Sequence, residues 1–383
     1  MCRGFLTPEM RAVTAGGKAN FYSQRADAIL ASDLMLIEEN VPLAPLSTLG
    51  VGGPARYFCQ ARSEDDIREA VVFAHEQGLP LFLLGGGSNL VVSDSGFAGL
   101  VVKIALHGIE QLAMQNDRVT FNVAAGEDWD AFVASTVESN CAGLECLSGI
   151  PGSVGGTPVQ NVGAYGQEVS DTITEVRVLH LETLESITFS NADCQFAYRR
   201  SRFNTADCGE YAITGVSFQL TRGGAPALRY ADLQRHFAEH NGNPTLPEVR
   251  AAVREIRQRK AMLIVPGDED ARSVGSFFKN PIISDKQYET LAAPFVAFDL
   301  HPPSYAAGDG YRKIPAAWLV EQAGFSKGHT KGAAGISRRH ALAIVNRGGA
   351  TAADIIGLKD EIQSRVRERF GIELEPEPVF LGF

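Results

Sequence analysis

The sequence has few of the features that nucleic-acid-binding or membrane proteins need. Its 383 residues carry a formal net charge of −10, and no block or face of lysines and arginines stands out, so wrapping of nucleic acid is not expected. No apolar run approaches the roughly 20 residues that a membrane-spanning helix requires. The N-terminus lacks the charged-then-apolar order of a signal peptide. We therefore expect a cytoplasmic protein with no nucleic-acid or membrane partner.

The sequence also lacks the cysteine and histidine spacings that are typical of metal sites. None of the six cysteines forms a C-x-x-C pair, and Cys141 and Cys146 have no histidine at zinc-finger spacing. The eight histidines include no H-E-x-x-H or similar paired motif. We expect reduced, mostly buried thiols, no metal, and no metal-dependent hydrolysis.

What the chain does have is the composition of a globular protein, with 45% hydrophobic and 21% charged residues. A chain of this length is too long to fold around a single hydrophobic core of ordinary size, so two or three domains are expected. Residues 1–38 show no periodicity and are interpreted as an N-terminal extension. Organised structure is predicted to begin near "VPLAPLSTLGVGGPARYF".

The segment that follows predicts a helix and then a glycine loop between two strands. In "ARSEDDIREAVVFAHEQGLP", Ser63 and Asp66 have capping-box spacing ahead of an apolar stripe. In "LFLLGGGSNLVVSD" the loop is followed by residues that favour a strand, whereas a dinucleotide-binding Rossmann turn opens a helix. The loop's backbone N–H groups could cradle a phosphate, and a tight hairpin is an equally economical interpretation.

A second glycine-rich stretch is denser. After the strand and helix predicted in "RVTFNVAAGEDWDAFVASTVESN", seven glycines lie between Gly143 and Gly166. A regular element would lose about 0.5–1 kcal/mol at each glycine. The pattern therefore favours backbone lying against a ligand, with long loops as the alternative.

The rest of the chain alternates strands, loops and helices. Strands are predicted in "TEVRVLHLETLESITFS" and "YAITGVSFQLT", a linker or mobile loop in "RGGAPALRYADL", and a helix in "LPEVRAAVREIRQRKAM". Further on, "PAAWLVEQAGF", "ALAIVN" and "TAADIIGLKDEIQSRVRERFG" predict helix, strand and helix.

Three short polar motifs are candidates for chemistry, and each also has a purely structural interpretation. Ser276 in "SVGSFFKNP" is a turn residue, a nucleophile or something less common, but it has no G-x-S-x-G context and no nearby histidine base. "FAYRRSRFN" offers Tyr198 and Arg199, and "IELEPEPVF" offers Glu375 and Glu377. Taken singly, a surface arginine, a turn-capping hydroxyl and a solvated acidic tail would explain them.

Together and in order, these stretches resemble the UDP-N-acetylenolpyruvoylglucosamine reductase family, from about Pro42 to the C-terminus. The markers are "STLGVGGPARYF", "LLGGGSNLVVSD", "GLECLSGIPGSVGGTPVQNVGAYGQEV", "YRRSRF", "GSFFKNP", "IPAAWLVEQAGF", "GAAGISRRHALAIVN" and "LEPEPVFLG". The resemblance implies an α+β fold, in which a two-subdomain FAD-binding unit of the vanillyl-alcohol-oxidase-like (PCMH) type is joined to a C-terminal α+β substrate domain. The boundaries expected are an extension at 1–38, FAD-binding subdomains at 39–105 and 106–223, a substrate domain at 224–371, and a tail at 372–383 that returns to the flavin.

The resemblance also implies an activity and the residues for it. The family uses NADPH and non-covalent FAD to reduce the enolpyruvyl ether of UDP-N-acetylglucosamine to UDP-N-acetylmuramate for peptidoglycan synthesis. The residues that match the family's catalytic groups are Arg199, Ser276 as proton donor, and Glu377. The residues that match its substrate contacts are Tyr198, Tyr230 (in the subclass with a substrate-loop tyrosine), Lys260, Lys279 and Asn280. The residues expected at FAD are Gly85, Gly86, Gly87, Ser88, Asn89, Leu90, Ile150, Pro151, Gly152, Gly155, Gly156, Asn161 and Gly163.

Further expectations concern the environment of Ser276 and the assembly. Phe277 and Phe278 are interpreted as walls that exclude water from the site, and Lys279 as a cation that assists the serine. We expect a monomer whose partners are the UDP-sugar and NADPH. Two positions depart from the family pattern: Asn204 stands where a lysine is frequent, and Pro378 replaces a common hydrophobic residue beside Glu377.

Two other functions are compatible with parts of the pattern. One is another flavoenzyme of the same fold, such as an FAD-linked hydroxy-acid or alcohol oxidase, although "GSFFKNP" and "LEPE" argue against it. The other is a non-catalytic sensor of flavin or nucleotide sugar, which would have lost Ser276, Arg199 or Glu377.

Overall fold

The computed structural model describes residues 35–238, 243–296 and 299–383. The predicted extension at 1–38 lies outside the described residues except for its last four, and Cys2 lies outside them too. The described chain is a mixture of helices with antiparallel and parallel sheets, which confirms the α+β class. None of the helices in this part of the chain combines the length and apolar content needed to cross a membrane.

The first layer is a small mixed sheet covered by one helix. Its elements are β1 (Glu38–Pro42), β2 (Pro54–Ala61), α1 (Glu64–Glu76), β3 (Leu81–Leu84), β4 (Leu90–Val92) and β5 (Phe97–Ile104). The strand order is β1-β2-β5-β3, with β1 antiparallel to β2 and the other pairs parallel. The predicted capping box is present, since Ser63 and Asp66 each accept from the other's backbone N–H. The predicted apolar stripe of α1 is buried in the core.

The second layer is an antiparallel sheet. Its elements are β6 (Ile109–Gln111), β7 (Arg118–Ala124), α2 (Trp129–Glu138), β8 (Cys141–Ala142), β9 (Gly163–Ala164), β10 (Gln167–Glu168), β11 (Ile173–His180), β12 (Ser186–Ser190) and β13 (Tyr211–Arg222). The order is β12-β11-β13-β7-β6, with β8 also paired to β13, and β9 and β10 form a separate hairpin. Trp129 and Phe132 of α2 pack on Phe218 of β13, with ring centroids 5.8 and 5.2 Å away.

The C-terminal part carries shorter strands and more helix. Its elements are α3 (Ala231–His236), α4 (Leu246–Arg259), β14 (Ile282–Ser284), α5 (Asp285–Val296), β15 (Tyr305–Ala306), β16 (Tyr311–Lys313), α6 (Ala316–Gln322), β17 (Thr330–Lys331), β18 (Ala334–Ile336), β19 (Ile344–Asn346), α7 (Ala352–Phe370) and β20 (Val379–Leu381). The sheets run β14-β16-β15 and β17-β18-β19. The predicted helices α4, α6 and α7 and strand β19 are confirmed. The sequence patterns did not predict α3, α5 or β14–β18.

Two features of the packing bear on the predicted domains. Helix α4 shares a core cluster with Cys146 and Tyr165 of the second layer through Val249, Val253 and Ile256. At the other end of the chain, β20 pairs in parallel with β4 of the first layer. The proposed C-terminal units are thus joined to both earlier layers, and the boundaries 105/106, 223/224 and 371/372 remain predictions.

Candidate active site

A large cavity runs between the three parts of the molecule. Its volume is about 1770 Å³, beyond the roughly 300–1,000 Å³ of a pocket for one small ligand, so there is room for two sizeable ligands side by side. The predicted site residues that line it are Gly85, Gly86, Gly87, Ser88, Asn89, Leu90, Ile150, Pro151, Gly152, Gly156, Gly163, Tyr198, Arg199, Tyr230, Lys260, Ser276, Lys279, Asn280 and Glu377.

Two predicted cofactor residues do not line the cavity. A Cβ on Gly155 would lie 2.6 Å from the Cβ of Ala125, so this glycine allows close packing behind the loop. Asn161 is buried, and its side chain donates to Glu168 Oε2 at 2.8 Å and accepts from Ser170 N at 3.2 Å. Both residues therefore support the cavity wall rather than form its surface.

The glycine loop between β3 and β4 is not a hairpin. Strand β3 pairs with β5, whereas β4 pairs with β20, so the two flanking strands belong to different sheets. A Cβ on Gly86 would lie 2.4 Å from Gly152 Cα, and one on Gly87 would lie 1.9 Å from Leu46 O. Side chains are therefore excluded at these two positions, because neighbouring backbone lies too close. The loop consequently presents backbone N–H groups to the cavity with no side chains to cover them. This geometry suits a phosphate cradle.

Arg199 is held in a tight turn at the cavity wall. Ala197 and Arg200 exchange two backbone hydrogen bonds of 3.0 Å, and Arg199 between them has a φ of 56°, a left-handed conformation that is unfavourable for most non-glycine residues. Its guanidinium donates to Gly163 O at 2.7 Å, and its Nε lies 3.2 Å from Glu377 Oε1. The strained turn thus aims the guanidinium at the C-terminal acid.

Backbone pairing brings Ser276 beside the same acid. Glu377 N donates to Phe277 O at 2.9 Å, and Lys279 N donates to Glu375 O at 2.9 Å. The segment that follows Ser276 therefore runs antiparallel to the tail. Three groups that are far apart in sequence, Arg199, Ser276 and Glu377, meet on one wall of the cavity.

The prediction that the two phenylalanines wall off the site is wrong. Phe277 and Phe278 are 0% and 2% exposed, lie in the C-terminal core cluster and do not line the cavity. Their rings contact each other, with centroids 5.5 Å apart, and pack among the apolar side chains of that cluster. They anchor the segment on which Ser276 and Lys279 face the cavity.

The two acids of the C-terminal motif lie in different environments. Burial raises the pKa of Glu377, against the opposing effects of Arg199 and Lys279. Glu375 is 70% exposed and pairs with Lys279 Nζ at 2.6 Å. Of the two acids, only Glu377 therefore combines burial, which favours the protonated form, with an arginine partner. Lys279 is engaged by Glu375 and does not stand alone beside Ser276.

Polar groups continue along the wall from Tyr198 to Asn280. Asn280 Oδ1 accepts from Ala316 N at 2.8 Å, at the first residue of α6. Burial raises the pKa of Tyr198, which the negative charge of Glu377 raises further, while Arg199 and hydrogen bonds with Asn280 lower it. Lys313 Nζ lies 4.6 Å from the centroid of the Tyr198 ring, so a cation borders this part of the cavity.

The far end of the cavity is cationic and aromatic. Lys260 caps the C-terminus of α4, and its Nζ lies 2.6 Å from Asp232 Oδ2. The rings of Tyr165 and Tyr230 meet edge to face at 5.3 Å, and Lys260 Nζ lies 5.8 and 5.9 Å from their centroids. Tyr230 precedes α3 and is 42% exposed. A phosphorylated ligand would meet both a positive charge and aromatic surface here.

Several residues that line the cavity were not predicted from the sequence, among them Gln160, Arg257 and His340. Gln160 accepts from Asn89 Nδ2 at 2.8 Å through its Oε1. Arg257 is buried on the inward face of α4, where burial lowers its pKa. Burial and the nearby cations Lys260, Lys327 and Arg257 lower the pKa of His340 to about 4. An arginine on an apolar stripe was the available signal for Arg257, and none of the motifs considered pointed to the other two.

Metal and disulfide chemistry have no support in the described part of the chain. No cluster of three or more potential metal ligands is present there. The described cysteines form no disulfide, and Cys59, Cys141, Cys146 and Cys194 are buried. For these four the prediction of burial is confirmed.

Comparison with known proteins agrees with this geometry. A family model described as "UDP-N-acetylenolpyruvoylglucosamine reductase, C-terminal domain" matches residues 267–381, and one described as "FAD binding domain" matches residues 55–183. The UDP-N-acetylenolpyruvoylglucosamine reductase of Thermobifida fusca is 45% identical, over 90% of this chain and 97% of that protein. Its counterpart in Streptomyces avermitilis is 45% identical, over 90% and 94%. The crystal structure of the Thermus caldophilus reductase has 25% identity and a TM-score of 0.61, and covers 91% of this chain and 100% of that one.

Proposed function

Because the chain belongs to the UDP-N-acetylenolpyruvoylglucosamine reductase family, we propose that it reduces the enolpyruvyl ether of UDP-N-acetylglucosamine to UDP-N-acetylmuramate, with NADPH as reductant. Membership makes it an FAD-binding oxidoreductase. The observation that carries the specific reaction is the meeting of Arg199, Ser276 and Glu377 on one wall of a cavity large enough for FAD and a nucleotide sugar.

The residues present fit FAD. The glycine loop and the loop that contains Ile150–Gly152 approach each other so closely that a Cβ on Gly86 would collide with Gly152. Backbone N–H groups of the two loops would hold the diphosphate, with Gly163 near the ring system. When bound and reduced, FAD supplies a hydride from its N5 to the terminal vinyl carbon of the substrate.

Arg199 and Glu377 would stabilise the charge that follows. A hydride added to the vinyl CH₂ carbon turns it into a methyl group and leaves a negative charge on the α-carbon, spread into the substrate carboxylate. A guanidinium matches a carboxylate with two parallel hydrogen bonds, and Arg199 is already fixed by Gly163 O. A protonated Glu377, favoured by its raised pKa, would donate a hydrogen bond to the same enolate.

Ser276 would complete the reaction as the acid. The α-carbon takes one proton from Ser276 Oγ, which gives the lactyl ether and leaves an alkoxide that recovers its proton from solvent. A serine hydroxyl is a weak acid, but an enolate-like carbon is a strong base, so no histidine is required. The backbone pairing beside Ser276 and the shared cavity lining of Ser276, Glu377 and Arg199 support this role.

The remaining polar residues would hold the nucleotide sugar. Lys260 would contact the diphosphate, and Tyr230 would lie over the nucleotide. Asn280 and Lys279 border the wall near Ser276, and Tyr198 lies between them and Arg199. We also propose that the protein is a cytoplasmic monomer divided at the predicted boundaries, with α3 and α4 bridging to the second subdomain.

The test is an NADPH-oxidation assay on purified protein. We expect a yellow protein that oxidises NADPH steadily only when enolpyruvyl UDP-N-acetylglucosamine is present, with UDP-N-acetylmuramate identified by mass spectrometry. Rapid NADPH oxidation with oxygen alone would instead support a flavin oxidase. A colourless protein, or one indifferent to the UDP-sugar, would contradict the proposal.

A further inference from the structure

Asp130 lies outside the cavity, yet its carboxylate is shared by three donors from two other segments. It sits in the first turn of α2. Its Oδ1 accepts from Gly149 N at 2.6 Å and from Arg250 Nη1 at 2.6 Å, and its Oδ2 pairs with the guanidinium of Arg254. The side chain is 23% exposed. One carboxylate thus ties the loop at Gly149 to helix α4.

Gly149 is held from both sides. While Asp130 accepts from its N–H, its carbonyl accepts from Arg257 Nε at 3.1 Å. Gly149 has a φ of 73°, and a Cβ there would lie 2.9 Å from Leu263 Cδ1, so the backbone has little freedom. The next three residues, 150–152, line the cavity as the proposed cofactor loop. Fixing Gly149 therefore fixes where that loop begins.

The other two donors fix helix α4. Arg250 and Arg254 are one turn apart and so lie on the same face, directed at Asp130 of α2. The helix ends at Arg259, and Lys260 is its cap residue, about 9 Å along the axis from Arg254 at 1.5 Å per residue. Because a hydrogen-bonded helix moves as a rod, the arginine contacts set the position of Lys260.

The electrostatics favour an ionised Asp130. Burial alone would raise its pKa, but hydrogen bonds from Arg250 and Gly149 and the charges of both arginines outweigh this and lower it. The position in the first turn of α2 adds a favourable interaction with the helix dipole. The carboxylate therefore stays charged and keeps both arginines engaged.

We propose that Asp130 is a positioning residue that couples the cofactor loop at residues 149–152 to the diphosphate-binding Lys260 through helix α4. The inference rests on the proposed function for the role of Lys260. Asp130, which does not line the cavity, would thereby set the relative placement of the two ligand sites.

Two substitutions of Asp130 separate its contact with Gly149 from its contacts with the two arginines. Asp130→Asn keeps an oxygen for Gly149 N but removes the charge that holds the arginines, so we expect the Kd for UDP to rise about tenfold. FAD retention and flavin reduction by NADPH should stay at wild-type levels. Asp130→Ala also removes the bond to Gly149 and should lower FAD retention as well. Arg254→Met should reproduce part of the UDP effect.

Glu64→Gln is the matched control. Glu64 also lies in the first turn of a helix, pairs with an arginine (Arg68 Nη2 at 3.2 Å) and accepts from Ser186 Oγ, and it is 35% exposed. It is not part of the cavity lining. This variant should lose comparable stability with no change in UDP affinity, which separates positioning from general destabilisation.

The measurements are isothermal titration of the flavin-loaded proteins with UDP, and amide hydrogen exchange over residues 255–262. Asp130→Asn should weaken UDP binding and speed exchange in the last turn of α4, while Glu64→Gln should do neither. If Asp130→Asn has the wild-type affinity for UDP and the wild-type rate of amide exchange, Asp130 does not couple the cofactor loop to Lys260. Failure of the wild-type protein to bind UDP would overturn the proposed substrate site, and the exchange data would still decide the role of Asp130.

Discussion

At the scale of single residues, one carboxyl group and one hydroxyl carry the proposed chemistry, and each has an environment that suits its role. Glu377 is buried against Arg199 and keeps a raised pKa, whereas Glu375, two residues away, is exposed and paired with Lys279. The sequence around Ser276 offers no base to activate it as a nucleophile, and none is needed if its partner is an enolate carbon. The same residue types in other positions would be ordinary surface groups.

The role of Ser276 is tested by separating the two half-reactions. In Ser276→Ala, flavin reduction by NADPH should be unchanged, because that step does not use the hydroxyl. Reoxidation of the flavin by the enolpyruvyl substrate should slow by about 10²–10⁴-fold, the usual contribution of a general acid. Stopped-flow recording of the flavin's visible absorption follows both steps.

Ser273→Ala is the control for that experiment. Ser273 lies on the same segment, and its Oγ accepts from Gly275 N at 3.3 Å. It should retain both half-reactions. If both half-reactions fell equally in Ser276→Ala, the serine would be structural rather than an acid.

The raised pKa of Glu377 predicts a pH-dependent cost to stability. A carboxyl group whose folded-state pKa is raised contributes stability that is fully present below its ordinary pKa of 4.5 and is lost as pH rises through the raised value. Glu377→Gln cannot ionise. The Tm of this variant relative to wild type should therefore increase as pH rises from about 4.5 and level off above the raised pKa. Each pH unit between the ordinary and the raised pKa corresponds to about 1.4 kcal/mol of stability.

Differential scanning calorimetry of both proteins between pH 4.5 and 8 measures this difference, since other titrating groups cancel in the comparison. A Tm difference that stays constant over the range, or that falls as pH rises, would show that Glu377 is ionised in the folded protein at all these pH values.

At the scale of elements, helix α7 shows how the parts of the molecule are tied together. Its N-terminus has its own capping box, Thr351 with Asp354. In addition, Asp94, in the turn after β4, accepts from Ala352 N at 2.7 Å and Ala353 N at 3.0 Å. A residue of the first layer therefore satisfies helix donors that would otherwise need solvent.

Removal of that second cap should destabilise the fold. Asp94→Ala leaves two helix N–H groups without their acceptor and removes a charge favoured by the helix dipole, at a cost of about 1–2 kcal/mol. Urea unfolding should show a lower midpoint with an unchanged slope. Asp65→Ala, at an 86% exposed carboxylate in the first turn of α1, is the control and should change stability by less. Equal midpoints for Asp94→Ala and wild type would contradict the capping role.

At the scale of the whole molecule, the site exists because the chain end returns to the first layer. Strand β20 pairs with β4 immediately after Glu377, and Val379 N donates to Asn89 O at 2.9 Å. This pairing joins the glycine loop, the serine segment and the C-terminal acid. The proposed catalytic groups are contributed by positions as far apart as 199 and 377.

The variant Gly382→Ala tests whether the pairing of β20 with β4 is needed for turnover. Gly382 has a φ of 81°, and a Cβ there would lie 2.0 Å from Gly96 O. Gly382→Ala should displace the end of β20, and with it Glu377, and lower turnover at least about tenfold, equivalent to about 1.4 kcal/mol. A steady-state assay with NADPH and the enolpyruvyl substrate measures it.

Gly371→Ala provides the comparison for that variant. Gly371 also has a positive φ, 64°, at the end of α7, but nothing lies within 4 Å of its added Cβ. It should lose about 1–2 kcal/mol of stability from the left-handed conformation and keep its turnover number. Equal turnover in both variants would show that the tail position does not matter for catalysis.

Long periodic elements and turn chemistry were predictable from the chain itself. The apolar stripe and capping box of α1 and the helices α2 and α4 follow from local patterns, and local patterns persist in any fold that buries them. Short strands such as β14–β18, of two or three residues, have no period to detect. Their pairing depends on neighbours distant in sequence.

The sequence by itself determined the class of fold, the long helices and, through its ordered motifs, the family and the residues proposed for its chemistry. Only the tertiary structure decided how those residues meet: that Glu377 rather than Glu375 is buried against Arg199, that Phe277 and Phe278 belong to the core, and that Gly155 and Asn161 support the cavity from behind. The physical reason is that residue type and spacing specify what a side chain can do. Burial and the direction it faces come from backbone pairing between segments far apart in the chain.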